Sequence, residues 1–145
     1  MAMQWTEHVL IGIDEIDIGI KEFFRRMNNL LVAMSRGRGR WETREMIGFL
    51  EDFASAHFSI EERYMAECGY PDCESHREEH EGFIKDLAYL RGEYEAGEVT
   101  TFFVLKVERW VYDWIIHHVG KTDKALYDFL RGGMRNREMR PDCTL

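Results

Sequence analysis

Apolar side chains recur at steps of three and four along most of this chain. Ile16, Ile20, Phe23, Phe24, Met27, Leu30, Leu31 and Met34 form the first stripe, as one face of an amphipathic helix requires. The glycines of Arg36-Gly37-Arg38-Gly39-Arg40 release the backbone, which predicts a first helix over about 17–35. Residues 1–16, with Trp5, Val9, Ile11 and Ile13, read as an arm that could be laid on a bundle. Met46, Phe49, Leu50, Phe53, His57, Ile60, Glu61 and Tyr64 share a broad face and predict a second helix over about 42–68. The turn Gly69-Tyr70-Pro71-Asp72 ends it, with proline near the next N-terminus, where its missing N–H costs little. A third helix over about 72–96 turns His76, His80, Phe83, Ile84, Leu87 and Leu90 inward, and Gly97 stops it. Thr100 or Thr101 caps a fourth, which continues to about Arg131 before Gly132-Gly133.

Four helices with short connections imply an all-α, up-down-up-down antiparallel four-helix bundle. The expected organisation is one domain over 1–145, with an N-terminal arm (1–16), the bundle (17–131) and a loose polar tail (132–145). Of 145 residues, 45% are hydrophobic and 13% aromatic, enough for a core and too much for a disordered chain. Lys and Arg number 19 against 27 Asp and Glu, a net charge of −8. That sign argues against nucleic-acid or anionic-membrane partners, whose phosphates attract cations. No apolar run approaches a membrane span, and the N-terminus lacks the pattern of a signal peptide. Three cysteines, Cys68, Cys73 and Cys143, lack metal-ligand pairing and fit a reduced, cytoplasmic protein.

The inner faces carry unusual residue types. His57 and Glu61 stand four apart on the second helix, His76 and His80 four apart on the third, and His118 and Asp123 five apart on the fourth. Residues four apart lie one turn above each other, so such a pair can grip a common centre. A five-residue step rotates further round the axis. One pair alone is commonplace on a helix. Three pairs on successive helices would bury four imidazoles and two carboxylates, at several kcal/mol for each unpartnered charge. A metal centre removes that penalty by coordinating all six.

Imidazole and carboxylate without thiolate suit iron, manganese or zinc. Six ligands exceed one tetrahedral zinc, and two carboxylates in a bundle are natural bridges between two metals. Two divalent ions, two carboxylates and a hydroxide bridge leave a single residual positive charge. The remaining candidates have plainer readings. His117 points about 100° away from His118, and His8 lies in the arm. Trp110, Trp114 and Ile115 read as core. Cys68 and Cys73 read as free thiols. Glu62 and the Glu78-Glu79 pair read as solvated.

These segments resemble the hemerythrins, specifically the single-domain bacterial ones, across about residues 5–130. The resemblance rests on Trp5…Gly12-Ile13-Asp14-Glu15-Ile16-Asp17, His57-Phe58-Ser59-Ile60-Glu61-Glu62, Gly69-Tyr70-Pro71, His76…His80, and Trp114-Ile115-Ile116-His117-His118 followed by Asp123. It implies a bundle with a non-haem di-iron centre that binds O₂ reversibly. By position, His76, His80 and His118 would hold one iron, His57 the other, and Glu61 and Asp123 would bridge them, with an oxo or hydroxo group between. The spacing from Trp114 makes His118 the family ligand. The chain departs from the pattern on the first helix. Where the family has Ile-Asp-x-Gln-His-Lys, it has Ile16-Asp17-Ile18-Gly19-Ile20-Lys21. The missing histidine belongs to the second, O₂-binding iron, and Asp17, Tyr64 or water are the candidates to replace it.

The expected function is therefore a binding module for O₂ or another small diatomic, in storage, delivery or sensing, with a depleted second iron position. Ile20, Ile115 and Val119 would make that position dry. Alternatives are a di-iron oxidase, peroxidase or nitric-oxide-reducing enzyme using the open positions, or a single-metal relic with a signalling or redox partner.

Overall fold

The computed structural model describes residues 14–36, 39–97 and 99–135. The expected arm and tail, with His8 and Cys143, fall largely outside them. Four antiparallel helices run up-down-up-down. Helix α1 is Asp14–Ser35. Helix α2 covers residues 39–68, in which a π-helical turn, Ala54–Phe58, joins Gly39–Phe53 to Ser59–Cys68. Helix α3 is Cys73–Glu95. Helix α4 covers residues 101–135, in which a longer π-helical stretch, Ile115–Asp123, joins Thr101–Trp114 to Lys124–Arg135.

The ends follow from local chemistry. Gly69 takes the left-handed conformation (φ 63°, ψ 42°), and the Tyr70 N–H bonds back to the Met65 carbonyl at 3.0 Å. The Thr100 hydroxyl accepts from the Phe103 N–H at 3.1 Å and caps α4. That helix does not stop at Gly132-Gly133 but reaches Arg135. A glycine in a helix costs only about 1 kcal/mol, and burial of Leu126, Tyr127 and Leu130 holds the preceding turns in place.

Two apolar clusters fill the interior. The larger is built on Phe23, Met27, Leu30, Met46, Leu50, Phe58, Phe83, Leu87, Phe103, Val107 and Val111. The smaller contains Ile16, Ile20, Tyr64, Met65, Leu126, Tyr127 and Leu130. Ile84, expected inward, is half exposed; Phe83, Leu87 and Leu90 take the core face of α3, and Ile84 lies beside it. A buried polar centre of His57, Glu61, His76, His80, His118 and Asp123 touches both clusters. His80 stacks on Phe58 of the larger, and His57 meets Tyr127 of the smaller.

Candidate metal centre

Glu61 of α2, His76 and His80 of α3, and His118 and Asp123 of α4 each present a donor atom, all within 4.8 Å of one another and all buried. Glu61 Oε1 lies 3.1 Å from His80 Nε2 and 3.4 Å from His76 Nε2. Asp123 Oδ1 lies 3.1 Å from His76 Nε2 and 3.0 Å from His118 Nε2. Despite these distances, His76 Nε2, His118 Nε2 and Asp123 Oδ1 make no hydrogen bond. Such atoms face a common point rather than each other. Each costs about 1–3 kcal/mol when buried unsatisfied, and a cation at that point relieves all of them. The donor set thus fits a metal.

The π-helical stretch explains how a five-residue step serves this site. Its hydrogen bonds run from i to i+5, so residues five apart return to nearly the same face. His118 and Asp123 both lie within it and both point into the cluster. His57 and Glu61, four apart, straddle the end of the shorter π-turn on α2.

A second layer orients the imidazoles. His80 Nδ1 donates to Glu62 Oε2 at 2.9 Å, and His118 Nδ1 donates to Glu79 Oε1 at 2.9 Å. Thr122 Oγ1 also donates to Glu79 Oε1, at 2.9 Å. With each Nδ1 carrying the proton, each Nε2 keeps its lone pair for a metal. Rings fix the remaining freedom: Phe58 stacks on His80 at 3.8 Å and Trp114 on His118 at 4.6 Å. Glu62 and Glu79, expected to be merely solvated, are therefore supporting residues. The Glu79→Ala variant is expected to bind metal roughly 10–100-fold more weakly while folding normally. Competition against a chelator of known affinity measures this, and unchanged affinity would remove Glu79 from the site.

The centre is strongly polarised. Burial pulls the His76 pKa down, but the nearby carboxylates of Asp123 and Glu61 outweigh it and hold the imidazole up at about 9. Burial likewise opposes protonation of His118, and Asp123 and Glu79 win. Burial pushes the Glu61 carboxyl up, but His57, His76 and His80 hold it well below the usual carboxylate range. Without metal, protons on imidazoles supply the positive charge that the carboxylates demand.

His57 stands apart from the five. Its Nε2 lies 3.1 Å from the Tyr127 hydroxyl and 3.3 Å from Glu61 Oε2. The Tyr127 O–H donates to Glu61 Oε2 at 2.5 Å, which leaves the phenol oxygen to accept from His57 Nε2–H. The His57 ring stacks on Phe53 at 4.7 Å and lies against Gly19, where an added Cβ would come within 2.9 Å of Nδ1. Ile20 is buried in the smaller apolar cluster, as are Tyr64 and Tyr127. The hydroxyl that meets His57 is that of Tyr127, which is not among the candidates Asp17, Tyr64 and water.

Gly19→Ala sets two effects against each other. Alanine favours a helix by about 1 kcal/mol, whereas overpacking a fixed ring costs about 1–3 kcal/mol. The variant is expected to melt lower than the natural protein. Gly82→Ala, with nothing within 4 Å of the added carbon, is expected to melt slightly higher. Equal upward shifts would mean that the His57 ring gives way freely.

The remaining expectations are simply placed. His117 is exposed. Trp110 and Trp114 pack partly buried on the larger cluster. Cys68 and Cys73 carry thiols. Ile115 and Val119 line the larger cluster rather than joining Ile20. Among the described residues, no helix is long and apolar enough to cross a membrane.

The family model of the hemerythrin HHE cation binding domain matches residues 13–130. The chain belongs to the hemerythrin family. It is 34% identical to a bacteriohemerythrin of Stenotrophomonas maltophilia over 125 residues, which cover 86% of this chain and 78% of that protein. It is 32% identical to a bacteriohemerythrin of Methylococcus capsulatus over 104 residues, 72% of this chain and 77% of that one. A bacteriohemerythrin of Pseudomonas aeruginosa is 28% identical over 130 residues, 90% and 82% of the two chains. This hemerythrin thus has the family fold and a His/carboxylate metal cluster. Where the resemblance places a histidine on the first helix, it has the buried Ile20. Tyr127 of α4 meets the residues on that side. A signal for it existed in principle: four residues after Asp123, it stands one turn further along the same helix.

Proposed function

We propose that this hemerythrin is a non-haem iron protein that binds a small diatomic ligand, O₂ in the first place, for storage, delivery or sensing. Glu61, His76, His80, His118 and Asp123 would hold an iron, which supplies a redox-active site for that ligand. The single observation that carries the reading is the set of buried donor atoms converging from three helices, of which His76 Nε2, His118 Nε2 and Asp123 Oδ1 have no hydrogen-bond partner. Imidazole and carboxylate donors suit iron, and five of them exceed a tetrahedral zinc site. An open cleft of about 250 Å³, lined by Tyr70, Ser75, Glu79, Lys121 and Thr122, reaches His76, one of the five donors. The second iron position of the resemblance is depleted. A second iron and its oxo or hydroxo bridge would draw on His57 and the remaining oxygens of Glu61 and Asp123, without a helix-α1 ligand.

A binding module fits better than an enzyme, because that fully furnished position has few places open for reacting groups. Metal analysis and optical spectra of the reduced, oxidised and O₂-exposed protein test this. The expected result is bound iron and a spectral change that reverses when O₂ is removed. Iron-free protein would overturn the metal assignment, and sustained consumption of O₂ or peroxide would favour an oxidase or peroxidase.

A further inference from the structure

We infer that the Tyr127 hydroxyl closes the second metal position of this hemerythrin, so that the chain holds one metal ion rather than two. The inference rests on the iron-binding reading above and specifies its stoichiometry.

The two halves of the polar centre differ in one respect. On the His76, His80 and His118 side, His76 Nε2, His118 Nε2 and Asp123 Oδ1 have no hydrogen-bond partner, while His80 Nε2 meets Glu61 Oε1 at 3.1 Å. On the His57 side, Glu61 Oε2 accepts from Tyr127 and His57 Nε2 donates to the same phenol. The Glu61 oxygen that a second metal would share is thus already paired. The His57 nitrogen that it would need carries a proton in this arrangement, not a lone pair. Glu61 Oε2 and His57 Nε2 are satisfied without a cation, so a second metal must break two buried hydrogen bonds to use them.

The surroundings fit a closed position. Ile20, at the place of the missing histidine, is 1% exposed in the same apolar cluster as Tyr127. The His57 ring is held between the Phe53 face and Gly19. Any side chain at residue 19 would push on that ring, so the glycine lets His57 lie close to α1 and meet the phenol. Gly19, Ile20 and Tyr127 together substitute an apolar and phenolic wall for a metal-binding one. The hydroxyl also ties α4 to α2 through Glu61, which keeps the opposite oxygen of that carboxylate aimed at the first position.

The test is the metal count. The protein is loaded anaerobically with excess ferrous iron, desalted and analysed for iron per chain. One iron per chain is expected, with a magnetically isolated ferric signal by electron paramagnetic resonance after oxidation. Ile20→His alone is expected to stay at one, because the hydroxyl still occupies Glu61 and His57. Ile20→His combined with Tyr127→Phe is expected to rise to two, with its helical circular dichroism and first iron retained as the check on folding. Tyr127→Phe by itself covers the case in which the double variant fails to fold; it is expected to keep the first iron and to take up additional iron only at high excess.

Two irons in the natural protein overturn the inference. So does a second iron in Ile20→His alone, or a correctly folded double variant that stays at one. A visible phenolate-to-iron absorption band that disappears in Tyr127→Phe overturns it too, since Tyr127 would then be a ligand. No iron in any of the proteins overturns the functional reading itself, and this inference falls with it.

Discussion

Stripping the metal with a strong chelator is expected to lower the melting temperature of this hemerythrin by about 10 °C. A ligand bound only by the folded chain adds about 4 kcal/mol when present at a thousand times its dissociation constant. For a domain near 150 residues, each kcal/mol moves the midpoint by about 2–4 °C. The metal-free fold should nevertheless persist. Glu61 holds its carboxylate form, and His76, with a pKa of about 9, remains protonated at neutral pH and partly replaces the cation. Two apolar clusters also hold the bundle independently of the centre. Differential scanning calorimetry before and after chelation, with metal loss confirmed, measures the shift. An unchanged melt would mean that the centre contributes nothing to stability.

The second large effect concerns which histidines hold the metal. His76→Ala, His80→Ala and His118→Ala each remove one of five converging donors. Each is expected to weaken iron binding by more than the roughly 10–100-fold expected for a supporting carboxylate. His57→Ala removes a side chain that bonds to Tyr127 rather than joining the five, so it should leave the retained iron near its natural level. Iron per chain after desalting separates the two classes. If His57→Ala empties the protein while His76→Ala does not, the two positions have been exchanged.

The four helices and most of their inward faces were legible in the sequence, because a three-to-four-residue period has one cheap solution, a buried stripe. Ile16, Ile20, Phe23 and Met27 lie on such a stripe and are all buried. The pairs His57/Glu61 and His76/His80 were legible for the same reason, since a step of four needs only local helical geometry. The family pattern also exposed the loss at Ile20, which is a fact about one residue.

The meeting of Tyr127 with His57 was not legible. Tyr127 and His57 are 70 residues apart in the chain, and their meeting depends on the rotation and axial register of α4 against α2, which packing sets. The same holds for Glu62 with His80 and Glu79 with His118. These glutamates look like solvent-facing charges until a neighbouring helix brings an imidazole nitrogen within 2.9 Å. The π-helical stretch of α4 is the clearest case. The step from His118 to Asp123 is written in the sequence, but which carbonyl each N–H chooses is not. Only in the folded bundle does the gain from placing both side chains on one buried centre outweigh the poorer packing of a widened turn.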